Sequence, residues 1–102
     1  MFCIRFKSNS KTSIIVGVLY KPPNSDLDYA NQMCNNIELL VNQNKSAVIL
    51  LGGDLNLTDI DWDSYTIKGN QYSKAINERY IDMVHSCNHI QTVIEPIEME
   101  TH

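Results

Sequence analysis

Apolar positions change their period several times along the chain, and each change marks an element. Phe2, Ile4 and Phe6 alternate with Cys3 and Arg5, the two-residue period of a short half-buried strand. The polar run Lys7-Ser8-Asn9-Ser10-Lys11 reads as a turn. From Thr12 to Tyr20 the chain is rich in β-branched residues, with Ile14, Ile15, Val16 and Val18 nearly continuous. This predicts a central strand covered on both faces and hairpinned to the first. Pro22-Pro23 stops the sheet, because proline has no N–H to give to a ladder.

Leu27, Ala30, Met33, Cys34, Ile37, Leu40 and Val41 follow helical spacing with one buried stripe. Ser25 is the expected N-cap, with Asp26 and Asp28 against the positive end of the helix dipole. Asn42-Gln43-Asn44-Lys45 closes this helix. Ala47 to Leu51 is an apolar run too short for a typical helix and suited to a buried strand. Residues 53–70 read mostly as loop. A second helical face then carries Tyr72, Ala75, Ile76, Tyr80, Met83, Val84 and Cys87, and Ile90 to Ile94 predicts a last strand ended by Pro96. The order strand, strand, helix, strand, loop, helix, strand predicts the α/β class, with helices packed on a sheet.

Composition narrows this picture. A chain of 102 residues holds one domain at most. The hydrophobic fraction of 43% and charged fraction of 20% suit a globular protein and exclude a disordered one. No apolar run approaches the roughly 20 residues of a membrane span, so no membrane partner is expected. The start lacks a basic region followed by an apolar core, so no signal peptide is read. Cys3, Cys34 and Cys87 are odd in number and far apart, which predicts reduced, buried thiols in an intracellular protein rather than a disulfide framework or a zinc site. The net charge of −4 and eight scattered Lys and Arg residues argue against non-specific DNA binding by this chain alone. They do not argue against a metal-dependent nuclease, whose acids gather around cations.

Candidate chemistry concentrates where strands leave the core. Leu50-Leu51-Gly52-Gly53-Asp54-Leu55-Asn56 runs from a buried strand into a polar loop, placing an acid and an amide two residues apart. Strand ends are common sites for reactive groups in α/β folds. Asn56 can orient a water or a phosphate oxygen, although an Asp/Asn pair also caps ordinary turns. Tyr20 ends its own strand beside Lys21, where a phenol could donate to phosphate or simply straddle the sheet edge. Asp59, Asp61 and Asp63 form an alternating acid ladder. A calcium loop would need glycine and glutamate where Ser64 and Asn70 stand, so the ladder reads as a solvated loop. Trp62 reads as that loop's packing anchor rather than a platform for bases. His85 and His89 have i, i+4 spacing, but no glutamate follows His85 and Asn88 favours a helix end between them. No metal role is assigned to them, and His102 is terminal.

Taken together, Gly17-Val18-Leu19-Tyr20-Lys21-Pro22-Pro23-Asn24, the helix after it, Gly53-Asp54-Leu55-Asn56, Asp59-Ile60-Asp61-Trp62 and Gln91-Thr92-Val93-Ile94-Glu95-Pro96 resemble the endonuclease/exonuclease/phosphatase superfamily. Within it they look most like the endonuclease domain of non-LTR retrotransposon polyproteins. The resemblance implies part of a four-layer α/β sandwich and phosphodiester hydrolysis with Mg2+ or Mn2+. Asp54 resembles the aspartate that positions or deprotonates the attacking water, and Asn56 the asparagine that orients phosphate or metal-linked water. Both are thereby implied as metal residues. Tyr20 resembles the tyrosine that supports the phosphoryl transition state. Implied partners are DNA and the reverse-transcriptase domain of a parent polyprotein, with nuclear localisation.

The chain also departs from the family pattern. Leu55 stands where phenylalanine is usual and Lys21 where arginine is frequent. The family's upstream metal-binding glutamate, its late aspartate and its Ser-Asp-His element have no counterpart. The expectation is therefore that residues 1–102 are the central portion of a single incomplete domain, a fragment of a DNA-nicking endonuclease that is inactive alone. Alternatives are a phosphate-monoester phosphatase of the same superfamily, and a non-catalytic mobile-element remnant. Trp62 and the double proline after Tyr20 favour the retrotransposon branch over the phosphatases.

Overall fold

The computed structural model describes residues 2–7, 13–88 and 91–97, with side chains described for 13–88 and 91–97. The chain runs β1 (Phe2–Lys7), β2 (Ser13–Tyr20), α1 (Leu27–Gln43), β3 (Val48–Asp54), β4 (Ile60–Asp61), β5 (Thr66–Ile67), α2 (Lys74–Cys87) and β6 (Thr92–Pro96). A four-stranded sheet has the order β1-β2-β3-β6, and β4-β5 form a separate small hairpin. β1 pairs antiparallel with β2, as expected of a hairpin. β2, β3 and β6 are mutually parallel, with helical crossovers that parallel pairing requires. The fold is thus mixed α/β, compatible with part of an α/β sandwich. Cys3, the polar run after Lys7, His89, Ile90 and His102 are calls of structure or side chain that fall outside the described residues.

One face of the sheet carries the core. Ile15, Leu19, Ile49, Leu51 and Ile94 point under the helices and meet Ala30, Cys34 and Ile37 of α1 and Ile76, Tyr80, Met83 and Val84 of α2. The helices are clamped to each other by Arg79, which reaches both Glu38 and Asn35. Cys34 and Cys87 are buried and free, and burial pushes the Cys34 thiol up to about 12, so it is an inert packing group.

The other face corrects the expectation of two-sided burial for β2. Val16 is 38% and Val18 57% exposed, and Leu50, Val93 and Ile97 are exposed beside them. A nearly continuous apolar strand signals two covered faces, but among the described residues the helices cover only one.

Three further expectations are revised. The N-cap of α1 is Asp26, not Ser25: Asn24 takes a positive φ after the prolines, and Asp26 Oδ1 then accepts from Tyr29 N at 2.9 Å. Ala75 is exposed, and Asn77 takes its place in the buried face of α2. Asp59 is not part of a solvated loop. It is 4% exposed and accepts hydrogen bonds from Gln71 N (3.0 Å), Tyr72 N (2.8 Å) and Asn77 Nδ2 (3.2 Å). Burial pushes its pKa up, but these donors outweigh that and hold it below the ordinary carboxylate value of 3.8.

Gly53 is the tightest point of the sheet. Its φ is 155°, and a Cβ there would run into the backbone carbonyl of Leu19 on the neighbouring strand.

Because the Asp59 pKa is lowered on folding, its contribution to stability is present above about pH 4 and is lost as pH falls through the folded value. Asp59→Asn turns one acceptor oxygen into a donor facing N–H groups, and should cost about 2–3 kcal/mol at neutral pH. It should also flatten the fall of Tm between pH 5 and pH 3; an unchanged acid profile would contradict this role. Gly53→Ala should destabilise the chain by about 3 kcal/mol or more in urea unfolding, whereas Gly52→Ala, where a Cβ meets only ordinary contacts, should cost far less.

Candidate functional site

Parallel register sets the site. Tyr20 and Asp54 are Cα partners at the C-terminal ends of β2 and β3. Alternation puts Ile15, Leu19, Ile49 and Leu51 on the covered face, so Tyr20 and Asp54 emerge together on the open one. The pairing ends there: Lys21 N donates to Asp54 O at 3.0 Å, and the chains separate into polar loops.

Asp54 and Asn56 then build a tight turn. Asp54 Oδ1 accepts from Asn56 N at 2.8 Å, an Asx-turn. Asn56 adopts φ 49°, a left-handed conformation that asparagine tolerates. Its Nδ2 donates to Lys21 O at 2.5 Å, across to the loop after β2. The turn is therefore both a structural cap and a presentation device. Among the described residues nothing engages Asp54 Oδ2 or Asn56 Oδ1, which leaves one carboxylate oxygen and one amide oxygen of the turn without a partner. Tyr20 is 56% exposed, and its hydroxyl has no partner among the described residues.

The acid ladder divides into three separate roles. Asp59 faces inward as described. Asp61 accepts from Asp63 N (3.0 Å) and Ser64 N (3.4 Å) and pairs with Lys68 at 2.8 Å. The hydrogen bond from Lys68, more than any other cause, lowers its pKa to about 2. Asp63 is exposed. The three alternate in sequence and border one cleft, but among the described residues no three His, Cys, Asp or Glu side chains cluster to hold a metal. Trp62 is half-buried against the core and meets Tyr65 edge-on at 6.1 Å, the anchor expected of it. A cleft of about 390 Å³ between this hairpin and Pro96 is lined by Asp59, Asp61 and Asp63 with Trp62 and Lys68, but not by Asp54, Asn56 or Tyr20. His85 packs against Tyr65 with ring centroids 4.5 Å apart and the ring planes tilted by 42°.

Sequence reasoning did not anticipate Lys21. It is fully buried beneath the turn, its Nζ donating to Pro22 O (3.1 Å) and Tyr72 Oη (3.2 Å) and lying 4.3 Å from the Tyr72 ring centroid. A lysine at a strand end beside two prolines carries no local signal of burial.

The donor set suits a hard cation. Mg2+ binds one or two carboxylates and completes its sphere with water and substrate phosphate, and Asp54 Oδ2 with Asn56 Oδ1 are oxygen donors of that kind. No helix among the described residues is long and apolar enough to cross a membrane.

Comparison with curated proteins and with solved structures returns no match. The family described as Endonuclease-reverse transcriptase matches residues 14–99, from the second residue of β2 past the end of β6. That span contains the whole parallel sheet, both helices and the Asp54–Asn56 turn, and the chain belongs to the endonuclease-reverse transcriptase family.

Proposed function

We propose that this chain carries part of the centre of a metal-dependent DNA endonuclease, which nicks target DNA to leave a 3′ hydroxyl for priming reverse transcription in the nucleus. One observation carries the reading. At the paired ends of β2 and β3, Asp54 and Asn56 each keep an oxygen unengaged among the described residues, beside the exposed phenol of Tyr20. Family membership supplies the nucleic-acid and reverse-transcriptase context.

In this reading Asp54 Oδ2 and Asn56 Oδ1 would hold Mg2+ or Mn2+. When bound, the cation supplies positive charge against the non-bridging oxygens of the scissile phosphate. The remaining lone pair of Asp54 Oδ2 would accept a hydrogen bond from the attacking water and so orient it. The other oxygen of Asp54 stays tied to Asn56 N, so the carboxylate does not swing away. Asn56 is fixed by its Nδ2 bond to Lys21 O, leaving its Oδ1 unengaged among the described residues. Tyr20 donates its hydroxyl to a phosphate oxygen as charge develops there.

Two features support a shared rather than self-sufficient centre. The described residues provide a single unengaged carboxylate at this turn, and no cluster of three metal-binding side chains. The open apolar sheet face fits a domain with further layers. The groups that protonate the leaving oxygen and complete the cation's shell then come from outside these residues.

The test is plasmid nicking with Mg2+ or Mn2+. The 102-residue chain alone should nick supercoiled DNA no faster than its Asp54→Ala variant. Turnover by the chain that Asp54→Ala abolishes would overturn the shared-centre reading. In a polypeptide that also carries the family's glutamate strand and Ser-Asp-His element, Asp54→Ala should lower the nicking rate by roughly three orders of magnitude or more. Retained activity there would contradict the assignment of Asp54.

A further inference from the structure

Lys21 is the most unusual residue of the interior. Its side chain is 0% exposed, yet no carboxylate among the described residues pairs with it. Burying an ammonium is costly unless its donors are well used. An apolar residue would fill the same space at lower cost, so the informative question is what the head group holds.

It holds Tyr72. Lys21 Nζ donates to Tyr72 Oη at 3.2 Å, and Asn24 N donates to the same oxygen at 3.0 Å. Loop 21–24 is thereby wrapped around one phenol oxygen. Tyr72 is itself fixed from behind, since its backbone N–H donates to the buried Asp59. The main chain of Lys21 faces the other way. Its N–H donates to Asp54 O, and its C=O accepts from Asn56 Nδ2. Residue 21 therefore joins both ends of the Asp54–Asn56 turn through its backbone and locks that backbone through its side chain. An unbroken path of hydrogen bonds runs from Asp54 and Asn56 through Lys21 and Tyr72 to Asp59.

We propose that Lys21 and Tyr72 are a positioning pair: the buried Lys21 ammonium, seated on the Tyr72 phenol, fixes the Lys21 carbonyl that orients Asn56 and the amide that anchors Asp54. The proposal rests on the assignment of Asp54 and Asn56 as the reactive pair. Neither Lys21 Nζ nor Tyr72 Oη touches substrate; both act through the turn. Holding ligands in this way from one layer out is commonly worth tenfold or more in metal affinity.

The test uses the 15N-labelled 102-residue chain and four variants. Tyr72→Phe removes one oxygen with little change in packing, and Lys21→Met removes the ammonium. Lys21→Arg restores a donor in its place. Arg79→Met breaks the helix clamp away from the site and controls for general loss of stability. In Tyr72→Phe and Lys21→Met the Asn56 side-chain amide resonance should move toward its non-hydrogen-bonded position, and backbone order parameters at Asp54 and Asn56 should fall. Lys21→Arg should return both toward wild type. Arg79→Met should lower Tm and leave both unmoved. Paramagnetic broadening by Mn2+ at Asp54 and Asn56 should need roughly tenfold more metal in Tyr72→Phe.

An Asn56 resonance and order parameters unchanged in both Tyr72→Phe and Lys21→Met would overturn the proposal, as would an equal change in Arg79→Met. A wild-type chain that Mn2+ does not broaden would count against the metal-dependent reading instead. The apo Asn56 signals still decide the positioning pair in that case.

Discussion

Leu19 and Gly53 face one another across β2 and β3, and only a residue without a Cβ fits there. That close approach sits one residue before the point at which both strands give out. It fixes the register that makes Tyr20 the neighbour of Asp54. A slip of one residue would send Asp54 into the core and Leu55 out to water, because side chains alternate faces along a strand. The placement of the candidate chemistry therefore depends on a steric constraint in the backbone, not on any contact among the reactive groups themselves.

From that register the rest is a matter of keeping the turn still. Asp54 spends one oxygen on an Asx-turn, and Asn56 spends its amide nitrogen on the opposite loop. What remains on each is an oxygen lone pair of the kind that hard divalent cations and waters accept. Beneath the turn, the polar interior is continuous, and its two buried charges are met by neutral partners: Lys21 by a tyrosine, and Asp59 by amides. The buried Asp59 links α2 to the hairpin and carries this rigidity into the helical layer. The nearby Asp61–Lys68 pair is largely exposed and contributes little to stability by comparison.

Much of this was legible in the sequence, and the misses have identifiable causes. Helical stripes and the Ala47 to Leu51 run gave the helices and β3, because burial on one face imposes a period. The Gly-Asp-Leu-Asn turn was legible because glycine, aspartate and asparagine each have few conformational uses at a strand end. The hairpin β4-β5 was not, since its two-residue strands show no alternation. The burial of Asp59 and of Lys21 is hidden from the sequence for the same reason. Both are charged residues at loop positions, and what buries them is partners 13 and 51 residues away, which no local pattern encodes. The apolar character of β2 signalled two covered faces, and only one cover is present among the described residues.

The central claim is that the Asp54–Asn56 turn is a cation site built on the paired ends of β2 and β3. Anomalous diffraction from crystals of the 102-residue chain soaked in Mn2+ tests it most directly. The account predicts a metal peak within coordination distance of Asp54 Oδ2, with Asn56 Oδ1 or a water held by it as a further ligand. A peak at Asp61 or Asp63 with none at Asp54, or no peak at saturating metal, would contradict it.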